Sequence, residues 1–161
     1  MLQAFHYSSK RCLNALATIG ARPISTAMDN NQFSRYLEHL SVPHQLTLGP
    51  DEKSLYFLYQ KHMTRFIFSN MSLYMNEPPP DLTVEGLLNS MPSKGGLCIQ
   101  HAELMHTALE HLGFDVTRVA GRVLDGETYR EDMTLDHIFL LVKIQGENYL
   151  VDPGLASATP M

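Results

Sequence analysis

The pattern of apolar and polar positions splits the chain into a half with helical period and a half with strand period. From Asn31 to Leu40 the apolar positions Phe33, Tyr36, Leu37 and Leu40 recur three and four apart, which is one helix face, and Pro43 is expected to end that stretch. A second helix is predicted from Asp51 to Met63, with Leu55, Leu58, Tyr59 and His62 on one face, Asp51 as its cap and Pro50 just before it. Glu77-Pro78-Pro79-Pro80-Asp81 reads as a stiff connector, Thr83 to Leu88 as a short helix, and Pro92-Ser93-Lys94-Gly95-Gly96 as a tight loop. A long helix is predicted from Cys98 to Leu112. Its core stripe is Leu104, Met105, Ala108, Leu109 and Leu112, and Gly113 is its natural stop.

After Gly113 the period changes. Phe114, Val116, Val119 and Val123 suggest a strand, and Ile138 to Ile144 is a stronger one. Gln145-Gly146-Glu147-Asn148 reads as a hairpin turn and Tyr149-Leu150-Val151 as the returning strand. Helices first and antiparallel strands second argue an α+β fold: a helical part over residues 29–112, carrying Cys98, and a sheet part over 113–161. The chain stops shortly after Asp152. A hairpin plus one strand leaves open edges, so more chain would be expected to close the sheet.

Composition bounds the function. The chain has 161 residues and is 44% hydrophobic, enough for the core of one domain or two small packed subdomains. A net charge of −5 gives the chain no electrostatic case for nucleic acid. No apolar run is long enough to span a membrane. Cys12 and Cys98 are the two cysteines. They can pair on arithmetic alone, but a disulfide-dense scaffold is excluded, and free thiols in a reducing, cytoplasmic setting are the better reading. Residues 1–28 differ in kind. They carry Lys10, Arg11 and Arg22 without an acid, are rich in Ser, Thr and Ala, and precede the first acid, Asp29. They read as a mitochondrial transit-like leader, a disordered leader, or sequence ahead of a true start at Met28.

Cys98 follows Gly95-Gly96 and opens the long helix. A helix N-terminus presents unpaired N–H groups and the positive end of the dipole, and both favour thiolate over thiol. The two glycines allow close approach of a substrate, and an amide near Cys98 would serve an oxyanion. His137 begins the strong strand and Asp152 ends the returning one, so an antiparallel hairpin brings both to one end of the sheet. Each residue is ordinary alone: a buried inert cysteine, one of eight histidines, a turn acid before Pro153-Gly154. Together they give the Cys/His/Asp set of nucleophilic catalysis. A zinc set of Cys98, His101 and Glu103 lacks any HExxH or CxxC pattern, so no metal is expected. Arg118 and Arg122 are expected on a sheet face, solvated or facing a phosphate.

The order of motifs resembles the arylamine N-acetyltransferase family. The matching segments are Phe68-Ser69-Asn70 with Leu73, Lys94-Gly95-Gly96-Leu97-Cys98-Ile99-Gln100, Leu112-Gly113-Phe114-Asp115-Val116, Asp136-His137 with Leu140-Leu141-Val142, and Tyr149-Leu150-Val151-Asp152-Pro153-Gly154. The resemblance implies a cysteine-proteinase-like core built of a helical bundle and a β-barrel, the latter incomplete here, with the family's C-terminal lid missing. It implies acetyl-CoA as co-substrate, an acetyl-Cys98 intermediate, an arylamine or hydrazine acceptor, and catalytic roles for His137 and Asp152. It implies that Phe68 lines the acceptor pocket, with Gly95 and Gly96 at the substrate. The chain departs from the family pattern at Lys94, where arginine is usual, and at Ala102, where asparagine is common. Other readings are a Cys-His-Asp hydrolase, a transglutaminase-like enzyme, or a truncated inactive remnant.

Overall fold

The computed structural model of the chain describes residues 27–43, 45–78, 80–122 and 135–155. Five helices come first: α1 (Asn30–His39), α2 (Glu52–Arg65), α3 (Met71–Tyr74), α4 (Val84–Lys94) and α5 (Cys98–His111). Three strands follow, β1 (Asp115–Gly121), β2 (His137–Ile144) and β3 (Glu147–Val151), as an antiparallel sheet in the order β1-β2-β3. The fold is α+β, as the change of period predicts. The leader assigned from composition lies outside the described residues except at its end. There Met28 is buried in the core, and its carbonyl accepts a hydrogen bond from His111 Nδ1 at 2.8 Å. The strand position expected at Val123 is also outside the described residues.

Local chemistry sets most of the boundaries. Asp29 caps α1 by accepting from Gln32 N–H at 2.8 Å while Gln32 Oε1 accepts from Asp29 N–H at 3.1 Å, a reciprocal capping box. The helix stops before Pro43 because Ser41 turns left-handed at φ 54°. Ser41 and Val42 then donate back to the carbonyls of Glu38 and Leu37. Asp51 caps α2 through Ser54 N–H at 2.9 Å. Helix α4 runs through Pro92, where a loop was expected. A proline in the closing turns keeps helical φ, and the actual stop is Gly95 at φ 72°. Gly113, at φ 84°, ends α5 as expected, with Phe114 N–H donating to Leu109. The hairpin turn is tighter than predicted. Gln145 and Gly146 alone, at φ 51° and 89°, make it, and pairing resumes at Glu147. The four-residue α3 is too short to leave a periodic signature, and its Met71, Leu73 and Tyr74 are exposed.

One hydrophobic core runs through both halves of the chain. Tyr36 and Leu40 of α1, Leu55 and Leu58 of α2, Leu87 and Leu88 of α4 and Leu104, Met105 and Leu109 of α5 join Ile138, Leu140 and Val142 of β2 in it. Helix α5 is buried along nearly its whole length, lying between the other helices and the sheet. Several of its polar members are therefore paired inside. Glu103 is buried, and Arg118 of β1 donates to both of its oxygens at 2.7 Å. Arg118 thus pins β1 to α5, rather than standing solvated or open to a phosphate as its sequence position suggested. Among the described residues no helix is long and apolar enough to cross a membrane.

Candidate active site

The site forms where the start of α5 meets the open end of the β2–β3 hairpin. Gly95 and Gly96 bring α4 into α5 past the segment Ile67–Ser69. Gly96 N–H donates to Ile67 C=O at 3.0 Å, Ser69 N–H donates to Gly96 C=O at 2.9 Å, and Phe68 and Gly96 make an isolated parallel bridge. A Cβ at Gly95 would strike the Ile67 carbonyl and Ser69, so the close approach this glycine permits is that of the chain's own backbone. The amides of Gly95 and Gly96 are bonded to the Met91 and Ile67 carbonyls. Phe68 sits half-buried on this bridge, paired with Gly96, which is two residues before Cys98 in the chain.

Cys98 is a half-buried free thiol at the first position of α5. The α5 cap position, Leu97, has no side-chain acceptor, and Gln100 Oε1 instead accepts Leu97 N–H at 3.0 Å. Of the first-turn amides, Gln100 N–H donates to the Leu97 carbonyl and Ile99 N–H is directed at the thiol. A hydrogen bond to His137 is the main cause of a Cys98 pKa below the usual value. It acts against burial and is helped by the charge of His137 and by the Ile138 and Ile99 amides directed at Sγ.

The hairpin register explains the next contact. Leu140 pairs with Val151, so Asp152, one residue past the ladder, comes opposite Phe139. Side chains alternate along a strand, so His137 and Phe139 share a face and Asp152 is the diagonal neighbour of His137. His137 Nε2 donates to Asp152 Oδ2 at 2.7 Å, with the two side chains only 10% and 17% exposed. That carboxylate contact, seconded by Cys98, raises the His137 pKa to about 10. With Nε2 committed to Asp152, Nδ1 is the nitrogen left for the thiol. The geometry places the His137 imidazole between the Cys98 thiol and the Asp152 carboxylate, an arrangement that favours the imidazolium and the thiolate.

The Asp152 carboxylate makes two contacts. Its Oδ1 accepts Gly154 N–H at 3.3 Å, making the turn, while Oδ2 holds His137. Two positioning residues were not singled out in the sequence for this site. Tyr59, placed only on the core face of α2, donates its hydroxyl to the Asp152 carbonyl at 3.3 Å. Gly154 packs directly on Cys98: a Cβ there would lie 2.5 Å from Cys98 Cα. The Asp-Pro-Gly run was legible as a turn, but its docking onto α5 was not. Glu103 and His101 do not join Cys98 in a metal set. Glu103 is held by Arg118, and His101 Nδ1 is bonded to His62 Nε2.

The sequence profile of a family described as N-acetyltransferase matches residues 52–161, a span that includes all three residues. The chain belongs to the arylamine N-acetyltransferase family. The arylamine N-acetyltransferase of Mycolicibacterium smegmatis is 32% identical over 117 residues, which are 68% of this chain and 42% of that protein. Arylamine N-acetyltransferase 2 of Mus musculus is 28% identical over 113 residues, 69% of this chain and 39% of the relative. The solved structure of the Mycobacterium marinum arylamine N-acetyltransferase in complex with CoA superposes with a TM-score of 0.66 at 29% identity, covering 76% of this chain and 46% of that one. The chain therefore spans less than half the length of these relatives.

Proposed function

We propose that this arylamine N-acetyltransferase family member takes an acetyl group from acetyl-CoA onto Cys98 and passes it to an arylamine or hydrazine. The observation that carries the reading is the continuous hydrogen-bonded line from Cys98 through His137 to Asp152. Cys98 Sγ attacks the thioester carbonyl. The bond to coenzyme A breaks, and the departing thiolate takes the proton held by His137. The amine then attacks acetyl-Cys98, its surplus proton passes to His137, and the acyl–sulfur bond breaks to restore the thiolate–imidazolium pair. Asp152 orients the ring and stabilises its charge throughout. Phe68 forms an aromatic wall for the acceptor, and Gly95 and Gly96 serve the substrate by holding that wall through their bridge. In this reading the helical part, 29–112, supplies the nucleophile, and the sheet part, 113–161, supplies the His and the Asp. The nucleophile requires a reduced thiol, which fits the cytoplasm.

Intact-mass measurement after incubation with acetyl-CoA tests the proposal. One acetyl adduct is expected, discharged by an arylamine and absent in Cys98→Ala. Folded protein that forms no adduct would sink the acetyltransferase reading.

A further inference from the structure

Behind the site, a second line of polar groups crosses the helical core. Tyr36 of α1, His62 of α2 and His101 of α5 are all essentially fully buried. Tyr36 Oη lies 3.0 Å from His62 Nδ1, His62 Nε2 lies 3.0 Å from His101 Nδ1, and His101 Nε2 lies 3.3 Å from the Ile67 carbonyl. The Gly96 carbonyl also accepts from the His101 ring.

The end of this line fixes every proton in it. A carbonyl only accepts, so His101 Nε2 carries hydrogen. Burial keeps both rings neutral, so His101 Nδ1 is bare and His62 Nε2–H donates to it. His62 Nδ1 is then bare in turn and accepts from the Tyr36 hydroxyl, which burial keeps protonated. Each group thus has one role, and the line delivers a donor to the backbone beside Cys98. The carbonyls it reaches, Ile67 and Gly96, are the two acceptors of the Phe68–Gly96 bridge. On the outer side of that segment Ile67 is 75% exposed.

We infer that His101, oriented by His62 and Tyr36, is a positioning residue that fixes the Phe68–Gly96 bridge and with it the wall beside Cys98. That Phe68 borders an acceptor rests on the function proposed above. The bridge and the relay do not, and the test addresses them without acetyl-CoA.

The experiment is NMR on the full chain. Nitrogen shifts of His62 should show Nε2 protonated and Nδ1 bare, as a single tautomer. In His101→Phe, which keeps a ring and removes both nitrogens, the amides of Ser69 and Gly96 should exchange at least about tenfold faster, measured against the Leu140 amide at the centre of β2. His101→Gln places a donor and an acceptor near the lost nitrogens and should restore most of the protection. If His101→Phe fails to fold, Tyr36→Phe decides. Loss of one hydroxyl leaves the His62 tautomer set from the carbonyl end but removes the partner that orients its ring, and should speed the same two amides by a smaller factor. Unchanged exchange at Ser69 and Gly96 in a folded variant, equal loss at Leu140, or the opposite His62 tautomer would overturn the inference. A failure of Cys98 to take an acetyl group with these results intact would count against the proposed function alone.

Discussion

His137 touches Cys98 from β2 and His101 follows it by one turn of α5, and the two are tuned in opposite directions. His137 is half-buried at a strand end, touches a carboxylate and a thiol, and titrates near 10. His101 is fully buried, its ring bonds to another histidine and to carbonyls, and burial lowers its pKa. Residue type therefore decides little about charge at this site. The carboxylate and the thiol against His137 favour its cation, while burial among neutral partners favours the neutral ring of His101, a directional hydrogen-bond element. His106 is also held towards the neutral form. Burial and the neighbouring Arg118 lower it to about 4, even though Glu110 Oε2 lies 3.0 Å from its Nδ1.

The largest test of this contrast removes the acid. Asp152→Asn should slow acetylation of Cys98 by about 10³–10⁴-fold, the scale for the orienting carboxylate of a triad, as followed by adduct formation in single turnover. A loss under tenfold would mean that His137 does not depend on Asp152. Next, His137→Leu should return Cys98 to ordinary thiol behaviour. Alkylation by iodoacetamide at pH 6.5 should fall about a hundredfold, the thiolate fraction left to a cysteine of pKa about 8.5. In the unaltered chain the rate should stay high well below pH 8; a profile centred at the ordinary value would break the ion-pair side of the comparison.

The neutral histidines predict an effect on stability instead. His62→Leu orphans the Tyr36 hydroxyl and His101 Nδ1, each costing about 1–3 kcal/mol, to be read from chemical denaturation. The pH dependence follows from the sign of the shifts. His62, His101 and His106 all titrate below their unfolded value of 6.5, so the unfolded chain binds more protons as pH falls beneath 6.5. Their contribution is complete above 6.5 and is lost progressively towards about 4, the folded value of His106. A denaturation midpoint that held constant from pH 7 to 4.5 would contradict neutral buried rings. The smallest effect is expected from Gly154→Ala. The added methyl meets Cys98 backbone and should cost about 1–3 kcal/mol of overpacking while lowering Cys98 alkylation more than the stability loss explains.

Much of this molecule follows from local sequence. The spacing of Tyr36, Leu37 and Leu40, the cap at Asp51 and the stop at Gly113 are decisions made within a few residues, and the structure has them where the pattern puts them. The change from helical to alternating period set the α+β order. The proximity of His137 and Asp152 was also legible, since an antiparallel hairpin returns to its own start and alternation sets the face. Where local reading failed, at the end of α4, the reason was local too: the stop at Gly95 depends on a positive φ, which Pro92 obscured.

Tertiary structure decided the rest. No spacing rule pairs His62 with His101, 39 residues apart on different helices, or Arg118 with Glu103 across a helix and a strand. None seats Gly154 on Cys98 or Tyr59 on the Asp152 carbonyl. These contacts depend on how α5 is gripped between the helices and the sheet, where burial makes an unpartnered polar group costly. The sequence by itself determined which residues can carry the chemistry and the order in which they come. The packing around α5 decided which histidine is charged, because burial and partner, more than residue type, set a proton's free energy.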